Sequence, residues 1–340
     1  MPGCPGKSLV GPHRKSAIMR ALAAQIAGFV VLAGALACQA ETWPSRPIRL
    51  IVPFSAGGTA DLLARVIAPV LTVRLGQPVV VDNRGGAGGL TASAQVANAD
   101  ADGYTLVVSG VASHIIAPAL SPRPEYDPIK QFTHIAYFGG PPIVWVVHPS
   151  LGVRSFDQLL KLVGTAPEPL SYGSPGVGTQ GHLVAAILAG KLGLPLVHVG
   201  YKGASPAMLD LIGGHIKLAS VTWTTALAHI QSGAILPIAV TAKTRVRDFP
   251  ELPTFAELGY PDLVATVWFS LSGPPGLPPA VVDRLNREIV RAFELPDVRA
   301  RLLQESIDGE SMDAATFTKF MEQENARWAP IAKAIVARQK

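Results

Sequence analysis

The sequence predicts an α/β protein folded as two lobes around a hinged cleft. Three observations predict it. Short apolar runs of strand type alternate with helical periodicity from residue 49 onward. The alternation restarts after the YDP at 126–128. A glycine-rich turn stands between a strand and a helix in each half.

The first 40 residues belong to a different class. Lys7, Arg14, Lys15 and Arg20 form a basic lead, an apolar run covers 26–37, and Cys38, Gln39 and Ala40 follow. This is the pattern of a secretory signal peptide, with cleavage after Ala40 or after Ala37. The apolar run is about 12 residues, against the roughly 20 that a spanning helix needs. The Ala35, Leu36, Ala37 stretch before Cys38 fits a lipid-attachment signal poorly. The expectation is therefore export with no lipid anchor. The whole chain carries 29 basic and 24 acidic side chains, a net of +5. The leader holds four of the basic ones and none of the acidic, leaving 25 against 24. The exported body has no nucleic-acid footprint. Both cysteines, Cys4 and Cys38, precede Glu41, so the body holds no disulfide and depends on its core. Roughly 300 residues suffice for that, usually as two domains.

In the first lobe, 49–53 (RLIVP) reads as a buried strand and 55–59 (SAGGT) as a turn. A helix follows over 60–75, with Pro69 as an interior flaw. A second strand covers 78–82, a loop 83–89 (NRGGAGG), a short helix 90–99 and a third strand 105–109. The order predicts a largely parallel sheet with its ligand-bearing loops at the strand C-termini. The second lobe, 144–264, repeats the scheme. Strands fall at 143–147, 170–173, 196–199, 216–221 and 236–241, and helices at 155–163, 180–192 and 205–211. The chain then returns through 264–272, and amphipathic helices at 278–293 and 314–338 complete the first lobe. The expected division is 1–40 leader, 41–143 and 265–340 lobe one, and 144–264 lobe two.

Two loops carry the chemistry. In 54–59, Gly57 and Gly58 let backbone N–H groups approach an anion, Thr59 can cap the helix, and the helix dipole favours negative charge. Asp61, in the first helical turn, reads as a helix-terminal stabiliser. In 174–179 (SPGVGT), Ser174, Gly176, Gly178 and Thr179 repeat the device in the other lobe. An ordinary tight turn accounts for either loop alone. Two, one per lobe, point to a solute clamped between helix N-termini, and a dicarboxylate suits that geometry. The glycines of 83–89 do not form a dinucleotide fingerprint, and Arg84 reads as a structural residue. The histidines at 114, 134, 148, 182, 198, 215 and 229 have no metal-ligand spacing, so no metal or cofactor is expected. There is no GxSxG, and no nucleophile–base or acid pair can be named, which argues against an enzyme. Trp145, Trp223 and Trp268 read as core or cleft wall, and Tyr201 as a residue of the cleft mouth.

These stretches, with WPSRPIRLIVPFSAGGTADLLAR (43–65), LGQPVVVDNRGGAGG (75–89), SYGSPGVGTQGHL (171–183), HVGYKGASPAMLDLIGGHI (198–216) and HIQSGAILPIAVTAKTR (229–245), resemble the Bug family, the TctC-like receptors of tripartite tricarboxylate transporters. The resemblance runs from 43 to about 335. It implies a fold like that of type II periplasmic binding proteins, a periplasmic location, a monomer, and a carboxylated solute handed to a membrane permease or to a signalling pathway. Carried over by position, it implies a site of Phe54, Ser55, Gly58 and Thr59 facing Ser174, Gly178, Thr179 and Gln180, with Tyr201 and Ala204 near the rim. Where many members read Phe-Asp-Asn, this chain reads Ser220, Val221 and Thr222. Val177 and Gln180 also depart from the family pattern. The loss of an aspartate at Val221 weakens an amino-acid assignment. The expected ligand is a mono- or dicarboxylate without an ammonium group; the alternatives are an aspartate- or glutamate-like amino acid, or a sensing role.

Overall fold

A computed structural model of the chain describes residues 43–121, 123–307 and 312–339, together with Gly3. The leader read at 1–40, and both cysteines with it, lies outside the described residues apart from Gly3. Arg46–Lys340 form one unit, and within it two five-stranded sheets carry the architecture.

The first sheet holds β1 (Ile48–Val52), β2 (Val79–Asn83), β3 (Thr105–Gly110), β4 (Thr133–Gly139) and β10 (Phe269–Gly273). Its order is β2-β1-β3-β10-β4. The second holds β5 (Ile143–Val147), β6 (Leu170–Ser174), β7 (Leu196–Gly200), β8 (Leu218–Thr222) and β9 (Leu236–Val240), in the order β7-β6-β8-β5-β9. The helices are α1 (Thr59–Leu75), α2 (Leu90–Ala97), α3 (Ala117–Leu120), α4 (Phe156–Thr165), α5 (Gln180–Leu192), α6 (Ala204–Ile212), α7 (Trp223–Gln231), α8 (Pro279–Glu294), α9 (Pro296–Gln304) and α10 (Ala314–Gln339). Among the described residues no helix is long and apolar enough to cross a membrane.

Each sheet is mixed, where the sequence pattern suggested largely parallel ones. β1 runs parallel to β2 and β3, but β10 is antiparallel to both β3 and β4. In the second sheet β6 is parallel to β7 and β8, while β5 is antiparallel to β8 and β9. The reason is connectivity. β5 and β10 are the strands by which the chain enters each lobe from the other, so they arrive from the opposite end. The crossing segments lie side by side: Pro142 bridges Thr266, and Val267 N–H donates to Pro141 O at 2.9 Å.

Local sequence explains most elements. The apolar run of β1 is nearly all buried because β1 lies inside its sheet. α1 turns Leu63, Ala64, Ile67, Ala68, Leu71 and Leu75 inward and ends on Gly76 in the left-handed region. It passes through Pro69 without ending, because Pro69 is exposed and the carbonyl it leaves without a donor is on the solvent side. The lobe-two core gathers Val144, Val146, Met208, Leu211, Val221 and Trp223. β4, α7, α9 and the π-helical turn Ala112–Ile116 were not anticipated.

Candidate functional site

Loop one leaves β1 at Val52 and enters α1 at Thr59. Gly58 is the extended N-cap, and no side chain caps the helix. Thr59 is therefore the first helical residue rather than the cap. Its hydroxyl turns across to the other lobe, donating to Thr222 Oγ1 at 2.8 Å and pairing with Thr224 Oγ1. The loop is braced from behind. Asp61 Oδ2 accepts the Gly57 N–H at 2.9 Å, Arg65 Nε donates to both Asp61 oxygens, and Asn83 Nδ2 donates to Phe54 O at 3.2 Å. Burial works to raise the pKa of Asp61, but the Arg65 and Gly57 donors hold it below the ordinary carboxylate value.

Loop two leaves β6 at Ser174 and enters α5 at Gln180. Thr179 is a true N-cap: its Oγ1 accepts from His182 N–H at 3.4 Å and donates to Gly176 O at 2.8 Å. A histidine pair backs this loop. His182 and His198 stack with centroids 4.1 Å apart. His198 Nε2 lies 2.6 Å from Ser174 Oγ, and Gly178 N–H donates to His182 Nδ1 at 3.4 Å. Burial holds His182 down to about 4. Burial, and the neighbouring His182, hold His198 down to about 3.

The two loops enclose a cavity of about 50 Å³. Four helix N-termini meet there. Thr59 and Ala60 open α1, Gln180 and Gly181 open α5, Ala204 opens α6, and Thr222 is the N-cap of α7; all six residues line the cavity. The first N–H groups of a helix have no intrahelical acceptor, so those that no other group takes are available to an anion; in α5 the His182 N–H already goes to Thr179 Oγ1, and in α7 the Trp223 N–H goes to Pro142 O at 2.9 Å. Val111, Ala112, Ile143, Val267, Trp268 and Phe269 supply the apolar wall. Among the described residues no charged side chain lines it. The cleft is closed along its rim: Ser55 N–H donates to Lys202 O at 3.1 Å. A Cβ at Gly88 (φ +64°) would lie 2.5 Å from Val177 O, so only glycine allows the 83–89 loop to approach loop two this closely.

Of the residues named from sequence, Phe54, Gly58, Thr59, Thr179, Gln180, Ala204 and Thr222 line the cavity together. Five do not. Ser55 sits in the closed seam against Gly203, with its hydroxyl buried and unpartnered. Ser174 is fully buried, and its hydroxyl faces His198 rather than the cavity. Gly178 packs on Ala117 and gives its N–H to His182. Tyr201 donates its hydroxyl to Asp210 Oδ2 at 2.6 Å and turns into lobe two; burial first, then that carboxylate, raises its pKa. Val221 is fully buried in the lobe-two core, because strand alternation turns it away from the cleft. Val221 therefore does not discriminate against an amino group on the ligand; what bears on it is that, among the described residues, no acidic side chain lines the cavity.

Trp268, which the sequence left open as core or cleft wall, lines the cavity, and Ala60, Gly181, Ile143, Val111, Ala112, Val267 and Phe269 join it as wall residues not named from sequence. A signal existed for Val111 and Ala112, which follow the C-terminal end of β3, the usual ligand edge of such a sheet. No signal in the local pattern marked Val267 and Phe269, which reach the cavity because the second crossing passes beside it. Among the described residues no cluster of His, Cys, Asp or Glu could hold a metal.

Two α/β lobes joined by paired crossings, closing helix N-termini on an uncharged cavity, define a solute-binding protein. The family model described as "Tripartite tricarboxylate transporter family receptor" (TctC) matches residues 63–336, and the chain belongs to that family of periplasmic transport receptors. It is 34% identical over 324 residues to Protein BugT of Bordetella pertussis, covering 95% of this chain and 99% of that one. Among solved structures it is similar to one described as a periplasmic transporter, at 34% identity and TM-score 0.83, covering 88% of this chain and 98% of the other. It is also similar to R. palustris Rpa4515 with adipate, at 32% identity and TM-score 0.82, covering 86% and 98%. The fold is the two-domain α/β fold of type II periplasmic binding proteins.

Proposed function

We propose that this receptor captures a small mono- or dicarboxylate without an ammonium group and delivers it to a tripartite tricarboxylate-type permease. The observation that carries the reading is the convergence of four helix N-termini on a cavity with no charged side chain. Backbone N–H groups at helix ends stabilise a carboxylate by charge-assisted hydrogen bonds and ask for no buried cation. An ammonium group would need an acidic partner, and the lining offers none. The adipate held by the R. palustris relative fits the same class of ligand. The reading includes export, with the leader removed after Ala37 or Ala40, no lipid anchor, and action as a monomer in the periplasm. It assigns the ligand contacts to Phe54, Gly58, Thr59, Thr179, Gln180, Ala204 and Thr222.

Calorimetry on ligand-free protein tests it. Succinate, adipate, butyrate and benzoate are compared with aspartate and glutamate. Binding of at least one ammonium-free acid, tighter than either amino acid, is the expected outcome. Aspartate or glutamate binding much tighter than every other acid would replace it with the amino-acid alternative.

A further inference from the structure

Among the described residues, Gln180 is the one polar side chain of the cavity wall that the fold leaves half used. It opens α5 and is 1% exposed. Its Nε2 donates to Thr266 O on the second crossing at 3.3 Å. That contact fixes the amide's orientation, since the reverse would set two acceptors face to face. The other end, Oε1, is buried with no hydrogen-bond partner. The remaining polar side chains of the wall are committed elsewhere. Thr59 and Thr222 hold each other, Thr179 donates to Gly176 O, and the Trp268 indole N–H goes outward to Glu324 Oε2 at 2.6 Å. The cavity therefore offers N–H donors at its helix ends, apolar surface on its wall, and one unsatisfied acceptor.

We infer that Gln180 Oε1 reads a hydroxyl on the ligand, so that the preferred solute is a hydroxy-substituted monocarboxylic acid with an otherwise apolar body. The inference rests on the carboxylate reading above and sharpens it. A carboxylate takes the helix-end donors. The hydroxyl then donates to Oε1, relieving a buried acceptor that is costly to leave unpaired. A second ionised carboxylate in that position would set an anionic oxygen against the amide oxygen, with no cation in the wall to offset it. A site built to pair with a hydroxyl also rejects the analogue that lacks it more strongly than an apolar site rejects an added hydroxyl.

The test is a calorimetric series of equal chain length: butyrate, its 2-, 3- and 4-hydroxy derivatives, and succinate, with benzoate and 4-hydroxybenzoate as the aromatic pair. Wild-type protein is compared with Gln180→Met, which keeps the length and removes the acceptor. The expected result is at least one hydroxy acid binding about tenfold or more tighter than both its unsubstituted parent and succinate, with Gln180→Met weakening that hydroxy acid at least tenfold more than it weakens the parent. If parent, hydroxy acid and succinate bind equally, or succinate or adipate binds tightest, the inference falls and the carboxylate reading stands. A preference that survives in Gln180→Met also overturns it. If no carboxylic acid in either series binds, both readings fall together. A thermal melt of Gln180→Met separates lost binding from lost folding, and Gln180→Leu serves as a second variant if the first is unstable.

Discussion

Gly85 offers a way to hold the lobes apart without touching the cavity. A Cβ added there would lie 2.6 Å from Lys202 O and 3.0 Å from Ser55 N, one atom on each side of the closed rim. Ordinary contact begins at 3.4 Å, so the seam at Lys202 must yield by about 0.8 Å. That shift takes the Ser55 N–H···O Lys202 bond, now 3.1 Å, beyond useful length. Forcing an extra methyl into packed atoms costs about 1–3 kcal/mol. The lost hydrogen bond adds about 1 kcal/mol. Together, about 2–4 kcal/mol is set against the closed form, or roughly 30- to 1,000-fold in its population. Affinity falls with the fraction of molecules able to close. Gly85 does not share the positive φ of Gly88, so alanine adds no dihedral strain; within lobe one the Cβ asks Ser55 N at 3.0 Å and Phe54 C at 3.3 Å to give by only a few tenths of an ångström, so the larger clash, with Lys202 O, falls on the closed form. Gly85→Ala is therefore expected to weaken the tightest-binding acid of the series by at least 30-fold in calorimetry, with the ligand-free melting temperature within about 2 °C of wild type. It is also expected to leave a larger radius of gyration in X-ray scattering with that acid present. An affinity within threefold of wild type would refute the claim that binding requires this closure.

Other outcomes follow from the same geometry. Thr59→Val removes a hydroxyl that bonds Thr222 and Thr224 across the cleft; at about 1 kcal/mol per hydrogen bond, calorimetry should show binding weaker by roughly 10- to 30-fold. Asp61→Asn keeps the shape but removes the charge that holds Arg65 and the Gly57 N–H; the Kd should rise several-fold through a loosened loop, and an unchanged Kd would contradict the bracing role. Stability should fall in acid. Burial holds His134 and His182 neutral, down to about 4, whereas the unfolded chain takes up protons near 6.5. Their contribution is complete above about 6.5 and is lost as the pH falls toward 4, at about 2 kcal/mol for each by pH 5. Urea midpoints at pH 7, 6 and 5 should therefore fall steadily, and a flat profile would contradict the burial of these rings.

The alternation of short apolar runs with helical stretches made both lobes legible, because each central strand is buried on both faces and reads as an unbroken apolar run. The antiparallel setting of β5 and β10 was not legible. Direction within a sheet depends on where the chain re-enters it, and nothing local to IVWVV or FSLSG records that. Loop position was also legible, since Gly57, Gly58, Gly176 and Gly178 mark strand-to-helix turns in any reading. Side-chain direction was not. Ser174 looked like a donor for the ligand, but a histidine 24 residues away claims its hydroxyl. Tyr201 looked like a rim residue, but Asp210, two turns along the next helix, draws it inward. Val221 carried an argument about the ligand while its alternation along β8 turned it into the core.

The crystal structure of the protein with the tightest-binding acid tests the central claim most directly. The account predicts a ligand carboxylate within hydrogen-bond distance of backbone N–H groups at the first turns of α1 and α5, inside the cavity bordered by Thr59, Thr179 and Gln180. A ligand bound outside this cavity, or one whose carboxylate is held by a basic side chain in place of the helix N-termini, would contradict it.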